Sequence, residues 1–160
     1  MTAKGGIKMN VLIVLCGLPG SGKSTYAKYL TESGPFECVS TDQIRKDLYG
    51  NESIQGNGEE VFNTAFTFLQ GYGLANINCI FDATNTTPRA RKKVVQKCRQ
   101  YYDLIICKYM DTPLDVCLHR NSQRERVVPK EVILRMANQF TMPSREEGFD
   151  YVETIISNPL

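Results

Sequence analysis

Val11-Leu12-Ile13-Val14-Leu15-Cys16 runs into Gly17-Leu18-Pro19-Gly20-Ser21-Gly22-Lys23-Ser24 and on into Thr25-Tyr26-Ala27-Lys28-Tyr29-Leu30. The six apolar residues read as a strand, and the glycine-rich turn that follows fits the pattern G-x-x-x-x-G-K-[ST] of a phosphate-binding loop. Glycines are needed because consecutive backbone N–H groups converge on phosphate oxygens in conformations that side chains resist. Lys23 supplies a mobile positive charge for β- and γ-phosphates. The Ser24 hydroxyl is placed to ligate Mg²⁺ at the start of the next helix. Gly20, Ser21, Gly22, Lys23, Ser24 and Thr25 are therefore the expected nucleoside-triphosphate contacts, with Ser24 the metal ligand. The loop leaves open which group receives the phosphate.

Working outward, 160 residues with 42 % hydrophobic content suit one domain. Residues 1–8 read as a disordered leader and 9–160 as the domain. No run reaches the ~18 apolar residues of a membrane span, and the N-terminus lacks a signal-peptide apolar core, so a cytoplasmic protein without membrane contact is expected. Six cysteines (16, 38, 79, 98, 107 and 117) include no C-x-x-C pair, and His119 is the single histidine. Buried reduced thiols are expected rather than zinc ligands. The net charge of +2 is uneven: −2 over residues 1–87, +7 over 88–135 and −3 over 136–160. A basic middle block attracts polyanions, although a solvated helix face also explains part of it.

Downstream, strands and helices alternate. Phe36 to Ser40 reads as a strand that delivers Thr41-Asp42 to the ligand edge of the sheet, where Asp42 is a functional carboxylate, the N-cap of a helix over Gln43–Tyr49, or both at once. Arg45 follows on the same helix face by i,i+3 spacing. Gly50 to Gly58 reads as a mobile loop. Val61, Phe62, Ala65, Phe66 and Leu69 recur at helical spacing, with Gly71 and Gly73 blurring where that helix ends.

Ile77 to Phe81 is a third strand, delivering Asp82 to the edge where a P-loop protein keeps its second Mg²⁺-organising carboxylate. Thr87-Pro88 opens a helix whose buried stripe is Ala90, Val94, Val95, Cys98 and Tyr102, leaving Arg89, Arg91, Lys92, Lys93, Lys97 and Arg99 on the other faces. A strand over Leu104–Tyr109 and a helix from Leu114 lead to Arg120, Arg124 and Arg126, three arginines within seven residues before Pro129. They read as a lid closing over a nucleotide. A helix through Val132, Ile133, Met136 and Phe140 and a fifth strand over Tyr151–Ile156 complete an α/β fold: a five-stranded, mainly parallel sheet with helices on both faces.

Ser40-Thr41-Asp42-Gln43-Ile44-Arg45, Phe81-Asp82-Ala83-Thr84-Asn85 with Pro88-Arg89, and Arg120-Asn121-Ser122-Gln123-Arg124 with Val128-Pro129 stand in this order behind the loop. Together they resemble the 5′-kinase domain of bacteriophage and bacterial polynucleotide kinases, over essentially the whole chain from Met9. Arg145-Glu146-Glu147-Gly148-Phe149 is similar to the bacterial members. The resemblance implies a P-loop kinase fold and ATP-dependent phosphorylation of a 5′-hydroxyl end of RNA or DNA, with Mg²⁺. It further implies Asp42 as general base and Arg45 on the acceptor's neighbouring 3′ phosphate. Asp82 becomes an acid of the active site, Arg124 the lid arginine on donor phosphates, Arg120 its support, and Asn85 and Arg89 further acceptor contacts. Repair domains or proteins are the implied partners.

The phage enzyme carries a phosphatase domain after its kinase, yet no D-x-D-G-T cluster occurs here, and Thr41 stands where the phage kinase has a basic residue. The kinase half is thus expected, free-standing or as a fragment. A P-loop kinase for a sugar, nucleoside or antibiotic hydroxyl shares loop, base and lid. A nucleotide-dependent switch is disfavoured because no Asn-Lys-x-Asp guanine motif occurs.

Overall fold

A computed structural model describes residues 8–51 and 56–156. The expected leader, apart from Lys8, and part of the expected Gly50–Gly58 loop lie outside the described residues, as does the stretch after Ile156.

The elements are β1 (Val11–Cys16), α1 (Lys23–Ser33), β2 (Phe36–Ser40), α2 (Thr41–Tyr49), α3 (Gly58–Leu74), β3 (Asn78–Asp82), α4 (Pro88–Cys98), β4 (Leu104–Asp111), α5 (Leu114–Ser122), α6 (Lys130–Gln139) and β5 (Tyr151–Ile156). Short 3₁₀ turns occupy Arg99–Tyr101 and Arg145–Glu147. The sheet order is β2-β3-β1-β4-β5, and every neighbouring pair is parallel. The phosphate-loop strand is therefore central, which explains its unbroken apolar run.

Alternate residues of β1 serve two cores. Leu12, Val14 and Cys16 join Val61, Ala65, Phe66 and Leu69 of α3 and Val94 and Cys98 of α4 on one face. Ile13 and Leu15 join Ala27 of α1 and Ile80 on the other. Fully burying each Leu or Ile contributes about 1.5–3 kcal/mol, so these two layers hold the ends of β1 and β3 where the site needs them. Five of the cysteines are buried, Cys38 is exposed on edge strand β2, and all six are free.

Several details differ from the sequence reading. α3 runs through Gly71 and Gly73 because Gly73 lies against the 3₁₀ turn: a Cβ there would fall 2.6 Å from Tyr101 Cβ. β4 continues to Asp111 because its last residues pair with Ile155 and Ile156. α2 begins at Thr41, capped by Ser40, whose Oγ accepts from Gln43 N at 3.4 Å. Asp42 is thus free of the capping role and sits in the first turn.

Arg91, expected among the solvated cations, is fully buried. Its Nε and Nη2 each donate at 2.7 Å to the Glu147 carboxylate, and its Nη1 donates to Asn85 O at 3.0 Å. This bidentate pair joins α4, the turn after β3 and the C-terminal 3₁₀ turn. Arg91 precedes Val94 and Val95 by three and four positions, so it lies on the buried stripe, and Glu147 compensates its charge there.

Candidate active site

The phosphate loop bends through glycines in the left-handed region, φ 81° at Gly20 and 98° at Gly22. At Gly20 a side chain would also collide with the Cys117 carbonyl of α5. α1 starts on Gly22 with no side-chain cap and no acidic residue in its first turn. Its amino end is thereby kept for an external anion. Thr112, in the β4–α5 turn, steadies the loop by donating its hydroxyl to Ser21 O at 2.8 Å.

Lys23 is 8 % exposed. Its ammonium donates to Gly17 O and Leu18 O, both at 2.9 Å, and reaches Ser21 Oγ at 3.5 Å. Burial lowers its pKa, and the nearby Asp82 charge opposes that effect. Beside it, Ser24 Oγ donates to Asp82 Oδ2 at 2.8 Å. Burial raises the Asp82 pKa against the pull of Lys23 and of the Ser24 bond. Ser24 and Asp82 are hard oxygen donors side by side at an anion-binding helix end, a set that fits Mg²⁺ completed by phosphate and water. Among the described residues no three His, Cys, Asp or Glu side chains gather as a cation cage. A phosphate-bound Mg²⁺ does not require one.

Opposite the loop, Asp42 Oδ1 accepts from Arg45 Nη1 at 3.2 Å, the contact anticipated from i,i+3 spacing. The same oxygen accepts from Arg126 Nη1 at 2.6 Å. Arg126 belongs to the irregular segment after α5, which is stapled at its base by Asn121: Nδ2 donates to Val128 O at 2.7 Å and Oδ1 accepts from Val128 N at 3.0 Å.

One cleft of about 870 Å³ gathers Gly20, Gly22, Lys23, Ser24, Thr25, Asp42, Arg45, Asp82, Arg120 and Arg124, together with Arg126. Ser21, within the loop, is buried. Two residues expected at the acceptor are placed elsewhere. Asn85 is buried at φ 47°, and its Nδ2 donates to Leu15 O at 2.8 Å, so its amide joins the end of β1 to the turn after β3. Arg89 is exposed and lines a separate hollow of about 460 Å³ with Glu59, Phe62 and Lys93. Phe62 borders both spaces.

Sequence reasoning missed the contact of Arg126 with Asp42 and the parts played by Thr112 and Asn121. The arginine cluster was visible, but Arg126 follows the end of α5, where no helical period says which way a side chain points. Thr112 and Asn121 act through main-chain groups, which leave no pattern in sequence.

A parallel sheet, a phosphate loop on its central strand and an arginine-bearing segment over the cleft define a P-loop domain of the kinase type. More particularly, a family model described as an AAA domain matches residues 12–143, and the chain belongs to that family. It is 28 % identical over 144 residues to the L-seryl-tRNA(Sec) kinase of Methanococcus maripaludis, covering 88 % of this chain and 56 % of that protein. It is 25 % identical over 150 residues to the bifunctional polynucleotide phosphatase/kinase of Schizosaccharomyces pombe, covering 90 % of this chain and 33 % of that protein. Among solved structures, a chain of the Pnkp1/Rnl/Hen1 RNA repair complex superposes with a TM-score of 0.74 at 25 % identity, covering 85 % of this chain and 45 % of that one. The chain thus spans about half or less of the length of these relatives. Among the described residues no helix is long and apolar enough to cross a membrane.

Proposed function

We propose that this domain transfers the γ-phosphate of ATP to the 5′-hydroxyl of a polynucleotide. The observation that carries the reading is the Asp42–Arg45 pair facing the phosphate loop across one cleft. A carboxylate there takes the acceptor's proton, and an arginine beside it suits an acceptor that bears its own phosphate, as a nucleic-acid end does and a free sugar does not. The likeness to a polynucleotide phosphatase/kinase and to the RNA repair complex supports the same acceptor, and association with further repair activities.

In the reaction the acceptor oxygen attacks the γ-phosphorus while the bond from that phosphorus to the β-bridging oxygen breaks, leaving ADP. The hydroxyl proton passes to Asp42 as its oxygen bonds phosphorus. Lys23 and the loop amides hold the β- and γ-oxygens, and Arg120 and Arg124 face the phosphates from the other wall, compensating charge as the phosphoryl group moves. Ser24 and Asp82 would hold Mg²⁺, which would supply further neutralisation of the phosphate oxygens.

The deciding experiment incubates the protein with γ-labelled ATP, Mg²⁺ and a 5′-hydroxyl oligonucleotide, with nucleosides, sugars and serine-charged tRNA in parallel. Label on the oligonucleotide supports the proposal. Label on small molecules alone overturns it. The charged tRNA is included because the seryl-tRNA kinase aligns over nearly the same span of this chain, and label there alone assigns the aminoacyl hydroxyl as acceptor instead.

A further inference from the structure

Two tyrosines of the cleft have no part in the transfer step. Tyr26 and Tyr29 of α1 line the same cavity as Lys23, Ser24 and Asp42. Their rings stack with centroids 6.3 Å apart and planes inclined by 27°. Tyr29 is 62 % exposed. Tyr26 is held in place: Lys108 Nζ donates to its hydroxyl at 3.0 Å and lies 5.5 Å from its ring centroid. Lys108 is itself paired with Glu153 at 3.2 Å. The pair is therefore an aromatic surface with a fixed inner ring and an accessible outer one.

Sheet order gives this surface a direction. Ser24 reaches Asp82 on β3, and Tyr26 reaches Lys108 on β4. Because β1 lies between β3 and β4, these contacts leave α1 on opposite flanks. Asp42 and Arg45 follow β2, beyond β3, and so mark the acceptor end of the phosphate row on the Ser24 flank. In-line transfer sets the acceptor and the departing nucleotide on opposite sides of the γ-phosphorus. A triphosphate with its γ end toward Asp42 crosses the amino end of α1 and delivers its nucleoside to the β4 flank. Tyr29 lies about 9 Å along the helix from Lys23, at 1.5 Å rise per residue, a distance a ribose and base can span.

We propose that Tyr26 and Tyr29 form a stacking platform for the nucleobase of the donor triphosphate. The assignment rests on Asp42 marking the acceptor end and holds for any acceptor. Stacking uses the π-face that every base has, so it contributes affinity without selecting the base. Donor use is accordingly base-tolerant, with ATP and GTP bound alike.

Calorimetry in Mg²⁺ without acceptor tests this with ATP, GTP and inorganic tripolyphosphate as probes. The wild-type protein binds ATP and GTP within about threefold of each other, and both more tightly than tripolyphosphate by roughly tenfold. Tyr29→Ala weakens ATP and GTP at least about fivefold and leaves tripolyphosphate unchanged, which also shows that the variant is folded. Tyr29→Phe keeps wild-type affinity. Equal loss for all three probes, no loss with Tyr29→Ala, equal wild-type affinity for ATP and tripolyphosphate, or an effect confined to the acceptor's KM overturns the assignment. With no acceptor present, the calorimetric result is independent of whether oligonucleotides are phosphorylated.

Discussion

Arg126 Nη1 lies 2.6 Å from Asp42 Oδ1, joining the segment after α5 to the first turn of α2 across 84 residues of sequence. Arg45 contacts the same oxygen at 3.2 Å. The carboxylate is thus oriented by one arginine from its own helix and one from the opposite wall, and Arg126 links the arrangement of that wall to the proposed base. Arg126→Ala should lower kcat/KM for the acceptor by about 10- to 100-fold, the loss of one charge-assisted hydrogen bond, while ATP binding stays within about twofold. Arg126→Lys should recover part of it, because a lysine restores the charge without the planar fork. Steady-state kinetics with the acceptor varied, beside ATP calorimetry, separates the two effects.

Asp42 carries the heaviest chemical duty in the proposed reaction. Replacing it with Ala or Asn should reduce transfer by about 10²- to 10⁴-fold, the usual contribution of a general base, with ATP affinity nearly intact because Lys23 and the loop amides hold the donor. A single-turnover assay with saturating ATP is the measurement. An active variant would remove Asp42 from its role.

In the proposed reaction Arg45 discriminates among acceptors. With a nucleoside 3′-phosphate and the matching nucleoside as paired acceptors, Arg45→Ala should cost the phosphorylated one roughly tenfold or more in kcat/KM and the nucleoside much less. Equal losses would place Arg45 on the donor side.

The contrast between Arg45 and Arg91 shows what could be read in advance. Arg45 was legible because its partner is three residues away on the same helix, a spacing that backbone geometry alone converts into contact. Arg91 was not, because the partner that permits its burial, Glu147, is 56 residues downstream, and charge normally marks a solvated face. The strands were legible for a related reason. A central parallel strand is apolar on both faces, so β1 announces itself, whereas the start of α2 depends on which hydroxyl turns to cap it. Asn85 stood in a motif with the right neighbours, yet its amide is used to fasten β1, a choice made by main-chain geometry.

Arg91 and Glu147 also provide a test of stability. Arg91→Ala strands the Glu147 carboxylate in a buried position and should destabilise the domain by about 3–5 kcal/mol. The double variant Arg91→Met/Glu147→Leu should regain much of that loss, because it removes both charges and refills the volume. Denaturant unfolding of the singles and the double measures the coupling directly.

Asp82 should reveal a conflict between function and stability. Burial raises its pKa in the folded protein above the ordinary carboxylate value, the Lys23 charge and the Ser24 bond notwithstanding. The folded state therefore binds a proton that the unfolded chain has already released, in the window between the ordinary value and the raised one. Within that window stability falls as pH increases, and above it the full cost of an ionised, buried carboxylate persists. Asp82→Asn removes the ionisation. Its melting temperature should exceed the wild type's at pH 7, and the difference should shrink as pH falls through that window, with no further change below about 4, where both folded and unfolded wild-type carboxylates are protonated. Catalysis should fall in the same variant, because an amide is a poor partner for a divalent cation. Thermal melts from about pH 3.5 to 8, a range spanning the ordinary carboxylate value, with Mg²⁺ omitted, check the sign: a wild type more stable than Asp82→Asn at pH 7 would mean that the attraction of Lys23 outweighs the burial of the carboxylate.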